Sequence, residues 1–173
     1  MDKEELIKLY ELTLNESNEL LKRYENKISF FWKIISSIFA GFVIGIFGAT
    51  KIYHFVILMI APIIVILISY LAKKALYRDY LNFLERVTLR AKIEDKLGLM
   101  DEYDYTNLKW RNEPLIPLRY FESRNNFNTS EEFIQYHITE GYQAIYYKMF
   151  NYTIWLSICL IMMIFIVIIL KYF

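Results

Sequence analysis

The chain has 173 residues, room for one domain, which makes a multidomain enzyme with separate cofactor and substrate lobes a poor fit. Hydrophobic residues are 56% and aromatics 18% of the chain, against roughly 45–50% apolar content in a soluble domain, so part of the excess must face lipid. The 20 basic and 19 acidic residues leave a net charge of +1, without the basic footprint of a dedicated nucleic-acid-binding module, and nothing else points to a nucleic-acid partner. A lone Cys159 excludes an intramolecular disulfide and a CxxC site, and with only His54 and His137 as imidazoles no metal or cofactor is expected.

Residues 1–27 read as a cytoplasmic amphipathic helix. Ile7, Tyr10, Leu14, Leu21, Tyr24 and Ile28 follow three-four spacing, with Ser17 as the weak position of the seam. The helix either packs on its own chain or forms a coiled coil between subunits. With seven acids and five bases and no apolar stretch, these residues do not have the pattern of a cleaved leader.

Three segments have the length and composition of membrane spans: residues 28–50, 52–72 and 149–170. At about 1.5 Å per residue each reaches roughly 31–35 Å, enough for a hydrocarbon core of about 30 Å. Lys33 lies one turn inside the first span, where its amine can snorkel to the headgroups. Pro62, in the middle of the second, removes a backbone hydrogen bond and predicts a kink. Lys22, Arg23 and Lys27 precede span one and Lys73, Lys74 and Arg78 follow span two, whereas the hairpin between them holds only Lys51. This asymmetry places the N-terminus and residues 73–148 in the cytoplasm and the C-terminus outside.

The second span is expected to continue as a cytoplasmic helix over 73–98, because Leu76, Tyr80, Phe83, Leu84, Val87 and Ala91 share one stripe and Gly98 suits a left-handed cap. Residues 99–128, with Pro114, Pro117 and many aromatics, read as an ordered loop region with a short strand or hairpin around Leu115 to Tyr120. Thr129-Ser130-Glu131-Glu132 has the form of a capping box, so a helix over 129–148 is expected to lead into span three, with Gly141 as a soft point. The fold class expected is therefore an all-α membrane protein: three transmembrane helices, a helical cytoplasmic extension and an aromatic-rich loop.

The chain holds no HExxH, GxSxG, GxxxxGK[ST] or GxGxxG, so no catalytic residue is expected. His137 lacks the upstream arginine of an Arg-x4–6-His ribonuclease signature and reads as structural. The spans carry no ionisable group near the midplane of the kind a carrier uses. Ser37, Gly41 and Gly45 form a small-xxx-small ridge on span one, extended by Gly48, which serves packing either within the chain or between protomers. Asn151, Thr153 and Ser157 on span three are candidates for interhelix contacts or for lining a polar pore. Arg86 and Arg90, one turn apart, are candidates for a cytoplasmic anion or nucleotide ring in a symmetric assembly, with Glu94 as the ordinary partner of each.

A helix, two closely spaced spans and a long cytoplasmic helix running from Tyr80 to Leu99 resemble the small bacterial SLATT-type and RipA-like ring-forming membrane proteins over roughly residues 1–99. The resemblance implies assembly in the bacterial inner membrane and a membrane-compromising role in antiviral defence. A third span departs from the two-span SLATT layout, and no functional residue carries over. The function expected is a homo-oligomeric effector that forms or gates a pore and depolarises the membrane, its partners being the lipid bilayer, further copies of itself and a cytosolic protein or nucleotide signal. The competing expectation is a membrane anchor or scaffold that docks a cytosolic enzyme through residues 99–128.

Overall fold

The computed structural model describes residues 2–105, 110–116 and 126–172. Its elements in chain order are α1 (Lys3–Gly48), α2 (Ile52–Leu58), α3 (Ile60–Lys96), β1 (Glu102–Tyr105), β2 (Trp110–Pro114), α4 (Ser130–Thr139) and α5 (Ala144–Tyr172). The expected fold class holds: the protein is helical, and three helical stretches are long and apolar enough to cross a bilayer.

Local chemistry explains the helix ends. At the start of α1 the Asp2 carboxylate accepts from the Glu5 N–H (2.7 Å) while Glu5 accepts from the Asp2 N–H (3.0 Å), a reciprocal cap. The break between α2 and α3 falls at Met59, because Pro62 offers no N–H to the Leu58 carbonyl and its ring crowds that oxygen. Met59 stays right-handed at φ −63° and ψ −22°, and helix resumes at once. His54 Nδ1 accepts from the Thr50 (3.1 Å) and Lys51 (3.4 Å) N–H groups, reaching back from the third helical position to the start of α2 as the Glu of a capping box would.

Gly98 ends α3 at φ 74°. Its N–H bonds to Asp95 O (3.0 Å) and the Leu99 N–H to Glu94 O (2.9 Å), the paired bonds of a Schellman closure that a side chain at residue 98 would strain. At α4 the Thr129 hydroxyl accepts from the Glu132 N–H (3.1 Å). The Glu132 carboxylate reaches the Asn128 N–H (3.0 Å), one residue earlier than the reciprocal bond of an ideal box.

The structure adds detail at three places. A hairpin forms from β1 and β2, over 102–114; of the strand or hairpin expected around Leu115 to Tyr120, residues 117–120 lie outside the described residues. Tyr103 and Tyr105 alternate with Glu102 and Asp104, the period-2 pattern of a strand, and the register slips by one residue between Tyr103 and Tyr105. Helix 129–148 is interrupted at residues 140–143. Gly141 is required there, since a Cβ would collide with the His137 carbonyl oxygen. The seam of residues 2–28 is kept at Ser17, Tyr24 and Ile28, which are buried, and shifts by one residue in its N-terminal part, where Leu6 and Thr13 are buried and Ile7 is exposed.

The chain divides into two compact units, Met1–Lys22 with Asp79–Tyr142, and Arg23–Arg78 with Gln143–Phe173. The second, apolar unit is a bundle of α1, α2–α3 and α5 segments. One end of its core is Phe42, Phe55 and Ile164, packed by Leu58 and Leu160. Toward the other end Phe150 is fully buried, stacking on Trp32 (5.1 Å between centroids) and meeting Phe31 edge-on (6.3 Å).

Candidate functional site

The apolar unit shows what each small or polar residue of the spans does. Pro62, Val65, Ser69, Ala72 and Leu76 of α3 are all buried at three-four spacing. On α5, Phe150, Thr153, Ser157 and Ile164 form the matching buried stripe. The Thr153 hydroxyl donates to Met149 O (3.3 Å) and the Ser157 hydroxyl to Thr153 O (2.9 Å). Each is thereby satisfied by its own helix and presents a small, weakly polar face on which a neighbouring helix packs closely. Two of the three candidate pore residues thus lie inside the protomer rather than along an open path; Asn151 is half-buried. Ser69 was not among the sequence candidates, yet it is fully buried and its hydroxyl has no hydrogen-bond partner among the described residues.

The ridge on span one divides. A Cβ at Gly45 would press on the end of the Leu58 side chain at 2.6 Å, so this glycine serves close packing of α1 on α2 in the same chain. A Cβ at Gly41 or Gly48 would meet nothing within 4 Å among the described residues, and both glycines are exposed, as is Ser37, whose hydroxyl donates to Lys33 O (2.8 Å). Around them Val43, Ile44 and Phe47 are exposed as well.

In the polar unit the two candidate ring arginines are engaged by acids of the same chain. Arg86 Nε lies 3.2 Å from Glu16 Oε2 at half-exposed positions. Arg90 Nε lies 3.4 Å from Glu94 Oε1, and both side chains are nearly buried. The Tyr10 hydroxyl also donates to Glu94 Oε1 (3.3 Å). Spacing on α3 makes Glu94 a partner for Arg90, but the Glu16 and Tyr10 contacts come from residues about 70 and 84 positions away and leave no local signature.

The same unit contains a cleft of about 540 Å3, with Val87, Ala91, Met100, Phe127 and Phe133 supplying apolar walls and Lys92 and Lys96 among its lining. Lys92 Nζ donates to Ser130 Oγ (3.4 Å). The cleft is not legible in the sequence because its walls come from α3, from Met100 and from residues 127–133, which share no periodic pattern. Beside it His137 packs on Phe133 (4.2 Å between centroids) and near Phe127 (6.1 Å). Burial disfavours the imidazolium and holds the His137 pKa below its usual value of 6.5. Unfolded chain therefore takes up this proton first on acidification, and the stabilisation, complete well above pH 6.5, is lost as pH falls below it. Thermal melts between about pH 7 and 5 should show this acid limb, and His137→Gln should flatten it. An unchanged limb in the variant would assign it to other groups.

Among the described residues no three His, Cys, Asp or Glu side chains converge to hold a metal ion. The class defined by these features is an all-α membrane protein with three apolar helices of spanning length. No family model, curated protein or solved structure matches the chain.

Proposed function

We propose that the protein is a homo-oligomeric effector of the bacterial inner membrane that forms or gates a pore and depolarises the cell, in the setting of antiphage defence. The observation that carries this reading is the division of the span-one ridge: Gly41, Gly48 and Ser37 remain on an open face after the protomer has packed, while Thr153, Ser157 and Ser69 are enclosed. With Ser69, Thr153 and Ser157 packed inside the protomer, a conduction path is sought between copies. An open small-residue face is suited to close approach of a second copy, and a ring of copies supplies the axis along which ions pass. The defence setting rests on the resemblance of residues 1–99 to SLATT-type and RipA-like proteins. No catalytic role is assigned.

In this reading the basic flanks at residues 22–27 and 73–78 face the cytoplasm and Lys171 lies outside. Single cysteines replacing Asn18 and Tyr172, in a Cys159→Ser background, should then differ in labelling by an impermeant maleimide on intact cells, with only the second reactive. Equal labelling would refute the orientation. The function is tested by reconstituting the full chain in liposomes and by expressing it in cells carrying a potential-sensitive dye: ion leak and depolarisation are expected. Tight liposomes and an intact potential under phage challenge would remove the pore reading.

A second reading, an anchor for a cytosolic partner, is supported by the cleft lined by Phe127, Phe133 and Lys92. It is favoured if a cytosolic enzyme co-purifies stably and membranes stay tight.

A further inference from the structure

We propose that one end of the apolar unit is a recognition collar for anionic phospholipid headgroups. This rests on the unit being embedded in a bilayer and is independent of whether it conducts. Two contacts pin its three helices at that end. The Tyr24 hydroxyl of α1 donates to the Gln143 carbonyl just before α5 (2.7 Å), and the rings of Tyr77 on α3 and Tyr147 on α5 meet edge-on at 5.7 Å. Basic residues cluster around these pins on all three helices: Arg23 and Lys27 beside Tyr24, Lys73, Lys74 and Arg78 beside Tyr77, and Lys148 beside Tyr147.

Along its own helix each of these six residues lies within four residues of the pin, from about 1.5 Å on the polar side to about 6 Å on the apolar side at 1.5 Å per residue, and the two α5-side pin positions, Gln143 and Tyr147, are about 6 Å apart. Glu25 is the only carboxylate side chain of the unit, and the buried Asp79 follows Arg78 at its boundary; Lys27 and Lys148 already take part in interactions within the protein, so the open positive charge is carried foremost by Arg23, Lys74 and Arg78. Arg23, Lys74 and Arg78 are exposed, and Lys27, Lys73 and Lys148 half-buried. The opposite end of the bundle differs in kind. It has only Lys51 and Lys171, and each lies over an aromatic ring, Lys51 over Tyr53 (5.9 Å) and Lys171 over Phe55 (5.3 Å).

The surroundings fit a lipid better than a soluble anion. Just below the collar, Phe30, Leu67, Tyr70 and Leu71 are exposed, so a molecule whose phosphate meets the bases finds apolar surface for its chains on the same flank. Exposed Tyr70 and Tyr77 also have the ring-plus-hydroxyl character enriched at the membrane–water boundary. Lysine and arginine near such a boundary each favour an anionic headgroup by about fivefold, so a headgroup shared by two bases is preferred by about tenfold or more.

The test uses the full chain with Trp110→Phe and Trp155→Phe, leaving Trp32 as the reporter, reconstituted in bilayers of phosphatidylcholine with brominated phosphatidylglycerol or brominated phosphatidylcholine as quencher. Quenching gives the relative binding constant of the two lipids. A preference of about tenfold for phosphatidylglycerol is expected, falling to near unity in Lys73→Gln/Lys74→Gln/Arg78→Gln and unchanged in Lys51→Gln/Lys171→Gln. If circular dichroism shows that the triple variant does not fold, Arg23→Gln/Lys148→Gln reads the same quantity from the other two helices. A wild-type ratio near one, a preference retained in the collar variant, or an equal loss in the Lys51/Lys171 variant would each overturn the proposal. Leak measurements on the same bilayers keep this outcome separate from the pore reading.

Discussion

In the proposed assembly, Gly41→Leu is expected to dissociate the copies into protomers while leaving each protomer folded, and to abolish liposome leak with it. Like Gly48 and unlike Gly45, Gly41 has an open Cβ direction: nothing among the described residues lies within 4 Å. A leucine there costs the protomer no steric clash, and inside a helix it is a better helix former than glycine by about 1 kcal/mol. Any loss must then come from contacts with another copy, where a leucine forces two helix backbones apart and removes the van der Waals packing that drives association in lipid. Gly45→Leu is the informative contrast. Its side chain meets Leu58 within the same chain, so it should also lower the thermal stability of the protomer. Size measurement in detergent, thermal melts and leak assays on both variants check this. A Gly41→Leu protein that remains assembled would remove span one from the interface, and a wild-type monomer would remove the pore.

Arg90→Leu should destabilise the polar unit, by up to about 3–5 kcal/mol, because it removes a guanidinium from beside the almost buried Glu94 carboxylate. The Tyr10 hydroxyl remains a donor to Glu94, but a neutral hydrogen bond is weaker than a charge-assisted one. Arg90→Leu/Glu94→Leu should recover most of the loss, since two apolar side chains of similar volume carry no uncompensated charge. Arg86→Leu should change stability by less than about 1 kcal/mol, its pair with Glu16 being half-exposed and screened by water. Melts of the full chain distinguish these cases. Equal effects of Arg86→Leu and Arg90→Leu would show that burial does not rank the two pairs. An Arg90→Leu protein of wild-type stability would return that arginine to the pool of candidate ligand groups.

Hydrophobic run length and end chemistry were sufficient to read three spans, the Thr129 and Gly98 caps and the disturbance caused by Pro62. These are local effects: a bilayer sets a length, a capping side chain reaches three residues, and a missing N–H acts on the carbonyl four residues before it. The direction each span faces is a different matter. On a helix that is apolar all round, no polar stripe marks the exposed side, so Gly41 and Gly45 look alike in sequence even though one is open and the other packs on Leu58. Seam positions mislead for a related reason. Residue size matters as much as polarity where helices approach closely, and Thr13 and Ser17, bonded back to Leu9 O and Leu14 O, are small enough to occupy the core while Ile7 is left outside. Ser69, the Glu16–Arg86 pair and the Tyr10–Glu94 bond were decided only by the tertiary structure, because each depends on which surface of a distant helix arrives opposite it, and helical periodicity carries no information about that partner.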